Sequence, residues 1–255
     1  MSDVSAFSLA GQRILVTGAN TGIGQGIAVA VARAGGDVIG VGRSSMAETA
    51  ALVTGLGARF VDLACDLGDT RAAKAMLDRA WEEHGPIDGL VNNAGIIRRA
   101  DALDLSERDW DEVMDVNLKT MFFLCQAFGK RVLEMPGRGG KIVNIASVLS
   151  FQGGIRVASY TTSKHGVVGI TRLLANEWAA KGLNVNAISP GYIETNNIAA
   201  LRADPDRSAA ILGRIPAGRW GDPRDIGDAA VFLLAPASRY VHGAVLAVDG
   251  GWLAR

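Results

Sequence analysis

The sequence predicts an α/β protein of the doubly wound class, with a parallel sheet of about seven strands and helices on both faces. Short β-branched segments alternate along the chain with longer segments whose apolar residues recur at helical intervals. The chain holds 32 glycines but only 6% aromatic residues, a composition that lets helices lie close to a sheet. Repeated strand-helix-strand units with short loops give right-handed crossovers between parallel strands, which helices cover on both sides.

The elements follow one another in a regular order. We expect strands at 13–17, 37–41, 59–63, 87–91, 141–145, 184–188 and 245–248, and helices at 22–33, 70–83, 107–133, 159–180 and 223–234. The exception is the stretch 190–221, which follows the sixth strand at the end where open α/β sheets bind ligands. We expect it to form a substrate lid. No Pro- or Ser-rich linker interrupts the pattern, so a single domain is expected over residues 1–255.

Composition excludes several classes of function. Lys+Arg and Asp+Glu number 26 each, so charge provides no basis for binding nucleic acid or a membrane surface. Cys65 and Cys125 lack a paired spacing, which is typical of reduced, buried thiols in a cytoplasmic protein. The first ten residues do not resemble a signal peptide, and no segment approaches the ~20 apolar residues of a membrane span. None of the three histidines has a ligand-spaced partner, so no metal is expected.

A glycine-rich turn leads from the first predicted strand into the first predicted helix. It reads Thr17-Gly18-Ala19-Asn20-Thr21-Gly22-Ile23-Gly24. Glycine tolerates positive φ and lets backbone amides approach a pyrophosphate, and the helix N-terminus adds free N–H groups and a positive dipole end. The spacing differs from the standard Gly-x-Gly-x-x-Gly fingerprint, and glycines alone also fit a tight structural turn. Their position after the first strand of a Rossmann-type sheet favours a dinucleotide site.

The end of the second predicted strand bears on the choice between NAD and NADP. It reads Gly40-Val41-Gly42-Arg43-Ser44-Ser45 and has no acidic residue to bind a ribose 2′-hydroxyl. Arg43 could pair with a 2′-phosphate or stack on adenine, which favours NADP(H). A solvated turn arginine explains the same residue, so both readings stay open.

Ser147, Tyr160 and Lys164 form the candidate catalytic group. Tyr160 and Lys164 are four residues apart and therefore share one face of a helix. A tyrosine pKa of about 10 must fall by roughly two to three units before the phenol acts near neutral pH. The Lys164 ammonium and an oxidised nicotinamide have the right sign to lower it, and Lys164 could also bind the nicotinamide ribose. Ser147 follows a strand, where it could hydrogen-bond the substrate oxygen. The pattern indicates hydride transfer to or from an alcohol or ketone.

With these motifs, residues 11–251 resemble the classical short-chain dehydrogenases/reductases. The resemblance rests on the 17–24 turn, Asn92-Asn93-Ala94-Gly95, Asn117, the Ser147, Tyr160 and Lys164 set, and Pro190-Gly191. It implies an NAD(P)-dependent enzyme acting on CH–OH groups, and a homotetramer. It also implies that Asn117 is a catalytic residue that supports a water passing protons from Lys164 to solvent. The cofactor contacts that the motifs and the resemblance together imply are Gly18, Asn20, Thr21, Gly22, Ile23, Gly24, Arg43, Asp66, Leu67, Asn93, Ala94, Gly95, Tyr160, Lys164, Pro190, Gly191, Ile193 and Thr195.

Further segments narrow the resemblance within the family. Residues 150–156, 187–192, 214–220 and 248–255 are similar to those of 2-deoxy-D-gluconate 3-dehydrogenases, also described as 2-dehydro-3-deoxy-D-gluconate 5-dehydrogenases, with gluconate 5-dehydrogenases as near neighbours. This similarity implies a small sugar acid as substrate. Members of this group commonly use NAD(H), which opposes the argument from Arg43, so the cofactor is NAD or NADP.

A sugar acid carries a carboxylate, which an arginine can meet with two parallel hydrogen bonds. We expect the substrate site to include Ser147, Gln152, Arg156 and Tyr160. Arg156, in the loop between Ser147 and Tyr160, is the best placed partner of the carboxylate, with Gln152 nearby for a hydroxyl. The other candidates are Arg98, Arg99, Arg202 and Arg214. Two other functions share the same motifs: a reductase of 3-oxoacyl thioesters, which would need a more apolar lid, and a non-catalytic dinucleotide sensor, which would not need an intact tyrosine and lysine. Trp252 is apolar enough either to seal a subunit interface or to pack locally.

Overall fold

The computed structural model describes residues 5–195, 201 and 203–255. Seven strands form one sheet in the order β3-β2-β1-β4-β5-β6-β7, and each neighbouring pair is parallel. The strands are β1 Arg13–Thr17, β2 Asp37–Gly42, β3 Phe60–Ala64, β4 Gly89–Asn92, β5 Gly140–Ile145, β6 Leu183–Pro190 and β7 Val245–Val248. The predicted doubly wound sheet is therefore confirmed.

The helices of the described residues are α1 Gly22–Arg33, α2 Ala47–Gly55, α3 Thr70–His84, α4 Glu107–Met114, α5 Met121–Leu133, α6 Ala158–Trp178, α7 Pro205–Leu212 and α8 Pro223–Leu234. Several begin at polar caps that the sequence provides. Asp69 accepts hydrogen bonds from two backbone amides at the start of α3. At the start of α8, the Asp222 side chain accepts from the Arg224 amide and forms a capping box with Asp225, and Pro223 occupies the first helical position. Helix α2 was not predicted, because it buries only Thr49 and Val53 and so lacks apolar periodicity.

One predicted helix, 107–133, is interrupted in the structure. A turn of π-helix, Asp115–Thr120, lies between α4 and α5. Such turns are rare and often occur at functional sites. Asn117 lies in this turn and is buried, with 2% of its surface exposed. The apolar pattern runs through the turn without a break, so the sequence predicts one continuous helix there.

The sheet is covered on both faces, as its alternating apolar residues require. Ile14 and Val16 of β1 pack in a cluster with residues of α1, α2 and α8. Leu15, between them, packs in the other cluster with residues of α3, α5 and α6. Because all strands are parallel, their carboxyl ends meet at one edge of the sheet, where the order reverses between β1 and β4.

The 190–221 stretch follows β6 at this edge. It contains α7, which begins at Asp204 as the capping residue with Pro205 in the first helical position. An isolated parallel bridge joins Ile193 to Gly221 and so brings the two ends of the stretch together. Residues 196–200 and 202 lie outside the described part of the chain, so the predicted contact of Arg202 lies outside it too. In the described part, no helix has the length and apolar character that crossing a bilayer requires.

Candidate active site

A cleft of about 1280 Å³ opens at the carboxyl edge of the sheet. The glycine-rich turn, the segments after strands β2 to β6, the start of α6 and parts of the 190–221 stretch line it. It brings together every predicted cofactor residue and all four predicted substrate residues, which lie far apart in the sequence. Asn117 does not line the cleft and lies buried behind it. The roles of these residues are inferred from this placement.

The glycine turn is built so that backbone, and not side chains, faces the cleft. Gly18 has φ 67°, and a Cβ on Gly24 would lie 2.0 Å from the Gly18 carbonyl oxygen. The Asn93 amide fixes the turn by donating to the carbonyl oxygens of Thr17, at 2.9 Å, and Gly18, at 3.2 Å. Thr21 precedes α1 without forming a side-chain cap, and the first turn has no acidic residue. The free amides and dipole of α1 therefore fit a pyrophosphate.

The adenosine end of the cleft carries an exposed ion pair. Arg43 Nη1 lies 3.8 Å from Asp66 Oδ1, and their side chains are 69% and 60% exposed. Such pairs contribute little free energy, so Arg43 is available to a ligand. Asn20 Nδ2 donates to Ser44 Oγ at 2.9 Å beside it. A Cβ on Gly42 would meet no atom closer than 3.6 Å, so this end has room for a ribose with or without a 2′-phosphate.

The three candidate catalytic side chains lie close together between β5 and α6. Lys164 Nζ is 5.6 Å from the centre of the Tyr160 ring and donates to the Ile145 carbonyl oxygen at 2.6 Å. Ser147 comes directly after β5, and its Oγ accepts from the Leu149 amide at 3.1 Å. The hydroxyl of Ser147 lies near enough to the phenol of Tyr160 to lower its pKa. The expected convergence of a strand-end serine with a tyrosine and a lysine on one helix face is present.

Burial dominates the pKa values of the reacting groups. It raises the pKa of Tyr160, and the Ser147 hydrogen bond and then the charge of Arg99 act in the opposite direction. Burial lowers the pKa of Lys164 to about 8. The effect that we expected of Lys164 on the tyrosine pKa stays a prediction, and Ser147 and Arg99 act in the same direction. Desolvation of the phenol outweighs both of them, so the protein side chains alone keep the phenol protonated near neutral pH.

Asn117 links the loop after β4 to the catalytic helix. Its Oδ1 accepts from the Ile96 amide at 2.8 Å, and its Nδ2 donates to the Ile96 carbonyl oxygen at 2.9 Å and to Ser163 Oγ at 3.2 Å. Ser163 Oγ in turn donates to the Tyr160 carbonyl oxygen at 2.7 Å. The side-chain amide is therefore engaged in holding the site together. Its part in a proton-carrying water chain stays a prediction.

The cleft has more unpaired arginines than unpaired acids. The acidic side chains that line it, Asp66, Glu112 and Asp115, all form ion pairs. Among the described residues, three lining arginines have no ion-pair partner: Arg99, Arg207 and Arg214. This excess of positive charge suits an anionic ligand. Arg207 was not among the predicted residues, because nothing in its local sequence distinguishes it from a surface charge.

Arg156 was the predicted partner of a substrate carboxylate. It lines the cleft with Gln152, but its Nε lies 3.2 Å from Asp101 Oδ1, and its side chain is 58% exposed. It also has φ 62°, in the left-handed region. Arg98 is likewise paired, with Glu112 at 2.8 Å. The Arg156–Asp101 pair is exposed and contributes little free energy, so it leaves the guanidinium available to a ligand, and the carboxylate role of Arg156 stays a prediction.

Trp252 packs inside its own chain and does not present a face to a second subunit. It is 4% exposed, and its ring centre lies 4.7 Å from that of Tyr192. This burial supports the local packing alternative for Trp252, since a side chain that is already buried has little surface left to cover at an interface. Trp252 and Tyr192 both line the cleft. Within the described residues, no group of three His, Cys, Asp or Glu side chains converges on a possible metal site.

Comparison of the sequence with known proteins shows which family the chain resembles. A family model described as enoyl-(acyl carrier protein) reductase matches residues 18–253. The chain is 58% identical over 252 residues to a 2-dehydro-3-deoxy-D-gluconate 5-dehydrogenase of Escherichia coli (strain K12), with 99% of both chains covered. It is 55% identical over 254 residues to the protein of the same name in Bacillus subtilis (strain 168), with 98% of both covered.

A solved structure also matches the chain over nearly its full length. A crystal structure from Agrobacterium tumefaciens, provisionally named 2-deoxy-D-gluconate 3-dehydrogenase and holding bound NADP, superposes with a TM-score of 0.93. Its sequence is 62% identical, and the match covers 98% of this chain and 99% of that one. The cleft with its glycine turn and its Ser147, Tyr160 and Lys164 group, together with these full-length matches, shows that the chain belongs to the short-chain dehydrogenase/reductase family.

Proposed function

We propose that this chain is an NAD(P)-dependent dehydrogenase that transfers hydride between the cofactor and a secondary alcohol or ketone of a small sugar acid, of the deoxygluconate or ketodeoxygluconate type. The observation that carries the proposal is one cleft in which Ser147, Tyr160 and Lys164 lie beside a free helix N-terminus and unpaired arginines. The names of the full-length relatives support the choice of acid.

The chain's own residues supply proton transfer and orientation. Tyr160 donates the phenolic proton to the substrate carbonyl oxygen in reduction and accepts it from the alcohol in oxidation. Ser147 hydrogen-bonds the same oxygen and stabilises the charge that develops on it. Lys164 lies one helical turn from Tyr160, where its ammonium would bind the nicotinamide ribose and supply a positive charge near the phenol. When bound, the nicotinamide supplies or accepts the hydride, and its oxidised ring adds a positive charge that favours the phenolate.

The residues that would hold the cofactor follow the cleft from the glycine turn to the start of the 190–221 stretch. The free amides of α1 would bind the pyrophosphate, and Arg43 with Ser44 would meet the adenosine ribose. We leave NAD and NADP as alternatives. Arg43 and the bound NADP of the Agrobacterium protein favour NADP, whereas the exposed Arg43–Asp66 pair allows NAD as well.

Changing Gly42→Asp together with Arg43→Ala tests this end of the cleft. The aspartate places a negative charge where a 2′-phosphate would lie, and the second change removes the cation that would pair with it. We expect the ratio of kcat/KM for NADP over NAD to fall at least tenfold, about 1.4 kcal/mol. Arg33→Ala, at the distal end of α1, is the control. An unchanged ratio in the double variant would show that other groups read the ribose.

Arg99 provides a test of the site's electrostatics. Its charge lowers the pKa of Tyr160, so its removal should raise that pKa. We therefore expect Arg99→Gln to move the rising limb of the kcat/KM profile for alcohol oxidation to higher pH, and Arg99→Lys to leave it near its original position. Profiles measured from pH 6 to 10 check this. A profile that does not move in the glutamine variant would place Arg99 outside the electrostatic reach of the phenol.

Four further features belong to the proposal. We take the 190–221 stretch to be a substrate lid and the chain to be a single catalytic domain. We take the active form to be a homotetramer in the cytoplasm; the buried free thiols Cys65 and Cys125 support a reducing compartment. Light scattering after size exclusion should give the mass of four chains, and a monomeric mass with full activity would contradict the assembly.

A substrate panel tests the function. Sugar acids, their neutral alditols and a 3-oxoacyl thioester are assayed with NAD and NADP by the absorbance of the reduced nicotinamide. We expect turnover of at least one deoxy or keto sugar acid and little turnover of the thioester. The reason is that the unpaired Arg207 and Arg214 line the end of the cleft formed by the 190–221 stretch, which we call the lid end. Preference for the thioester would make the chain an acyl reductase, and binding of cofactor without any turnover would make it a sensor.

A further inference from the structure

Arg214 lies over an aromatic ring in the part of the cleft that the 190–221 stretch lines. Its guanidinium carbon lies 4.0 Å from the centre of the Trp252 ring, and Tyr192 packs edge-on against the same ring, with 4.7 Å between ring centres. All three side chains line the cleft. An arginine stacked on an aromatic ring keeps its planar fork of donors free at its edge, and it loses less freedom when a ligand binds.

The 249–255 segment keeps this arrangement in place. Arg255 Nη1 donates to the Gly213 carbonyl oxygen at 3.1 Å, directly before Arg214. The Ala217 amide donates to the Gly250 carbonyl oxygen at 3.0 Å. A Cβ on Gly251, which has φ 88°, would lie 3.0 Å from Pro216 Cγ, so the two segments are in close contact. The position of Arg214 is thus set on both sides, by the stack and by the backbone.

The cationic side chains of the cleft act at two separate ends. The charge of Arg99 acts on the phenol of Tyr160, at the reacting end. The charges of Arg214 and Arg207 act on the phenol of Tyr192 instead. Among these three described arginines, Arg214 is the one that an aromatic ring of the cleft holds in place, with its guanidinium carbon 4.0 Å from the centre of the Trp252 ring.

We propose that Arg214, which lies over the ring of Trp252 beside Tyr192, binds the carboxylate of the substrate and so sets the preference for sugar acids over neutral sugars. This inference rests on the proposed function and adds the residue that recognises the acid. In a substrate such as 2-dehydro-3-deoxy-D-gluconate, oxidised at carbon 5, the carboxylate is several bonds from the reacting carbon. Anchoring it at the lid end leaves that carbon free to reach Tyr160.

The test measures binding, so that it does not depend on turnover. Enzyme saturated with NADPH is titrated with D-gluconate and with its neutral alditol, D-glucitol, in a calorimeter; neither ligand can accept hydride. We expect the wild type to bind gluconate more tightly. Arg214→Gln should weaken gluconate binding by about tenfold to a hundredfold and largely remove the preference, since hydrogen bonds to charged groups are lost. Glucitol affinity should change less than about threefold.

Two further variants separate recognition from packing. Arg219→Gln removes another arginine of the 190–221 stretch, which pairs with Asp225 and does not line the cleft, and should leave both affinities unchanged. Trp252→Leu should weaken gluconate binding less than Arg214→Gln. Because Trp252 acts through the arginine, the double variant should lose no more than Arg214→Gln alone. Thermal melting confirms that each variant is folded.

The outcomes distinguish this inference from the proposed function. A gluconate preference that survives in Arg214→Gln, or no preference in the wild type, overturns the inference even if sugar acids are turned over. An Arg214-dependent preference without turnover of any sugar acid overturns the proposed function and leaves the carboxylate site standing. Additive losses in the double variant would show that Trp252 does not act through Arg214.

Discussion

Replacing Tyr160 with phenylalanine is expected to lower kcat by a factor of about 10² or more, the usual contribution of general acid–base catalysis. The change removes the proton donor and keeps the ring, so the helix face and its contact with Lys164, 5.6 Å from the ring centre, persist. Cofactor affinity should change little. The measurements are steady-state kinetics with the best sugar acid and calorimetric titration of the cofactor alone.

The chain offers a matched control for this variant. Tyr240 is 94% exposed and lies away from the cleft, so Tyr240→Phe should leave kcat and KM unchanged. Raised pH should not restore Tyr160→Phe, because the variant has no ionisable phenol at this position. If Tyr160→Phe retains most of its activity, the proton transfer proposed for Tyr160 does not occur through that hydroxyl.

Lys164→Met should lower turnover strongly and also weaken dinucleotide binding, because we propose that this one side chain serves both the phenol and the ribose. Its Nζ is buried and donates to the Ile145 carbonyl oxygen at 2.6 Å, which fixes it at the cofactor end of the cleft. Titration with cofactor alone measures the binding loss. Unchanged affinity would confine Lys164 to the chemistry of Tyr160, and unchanged kcat would remove that role as well.

A second lysine serves as the control. Burial also lowers the pKa of Lys141 to about 8, but Lys141 Nζ donates to Ser238 Oγ, and the residue does not line the cleft. Lys141→Met should therefore leave cofactor affinity unchanged.

The pKa of Lys164 also predicts how the stability of the fold depends on pH. In the folded chain this pKa is about 8, below its ordinary value of 10.5, so the unfolded chain binds more protons between these two values. The free energy of unfolding therefore rises with pH across that window. Either methionine variant should reduce this rise.

The sequence predicts the order of the sheet strands and the proximity of Ser147, Tyr160 and Lys164 well, because both depend on local patterns. β-Branched segments mark the strands to within a few residues, and a tyrosine and lysine four apart must share a helix face. The π-helical turn at Asn117 was not predicted, because the apolar pattern runs through it. Helix α2 was missed because it buries little.

Contacts between distant segments could not be read from the sequence. The pairing of Arg156 with Asp101 joins two loops, and it engages the arginine that the local sequence favoured for a carboxylate. Tyr192 follows β6 and Trp252 follows β7, so they meet because these strands are neighbours in the sheet. Arg214 enters the same cluster from the 190–221 stretch. Sequence spacing contains no signal for such a cluster, since its members come from three separate elements.

The most direct test of the central claim is product stoichiometry. The wild type is incubated with the preferred sugar acid and oxidised cofactor, the keto product is quantified by nuclear magnetic resonance, and reduced nicotinamide is quantified by absorbance. We predict equal amounts of ketone and reduced cofactor, formed by the wild type and by Tyr240→Phe but reduced about a hundredfold or more in initial rate in Tyr160→Phe. Tight cofactor binding with no ketone formed from any sugar acid, or ketone formed at the wild-type rate by Tyr160→Phe, would contradict the account.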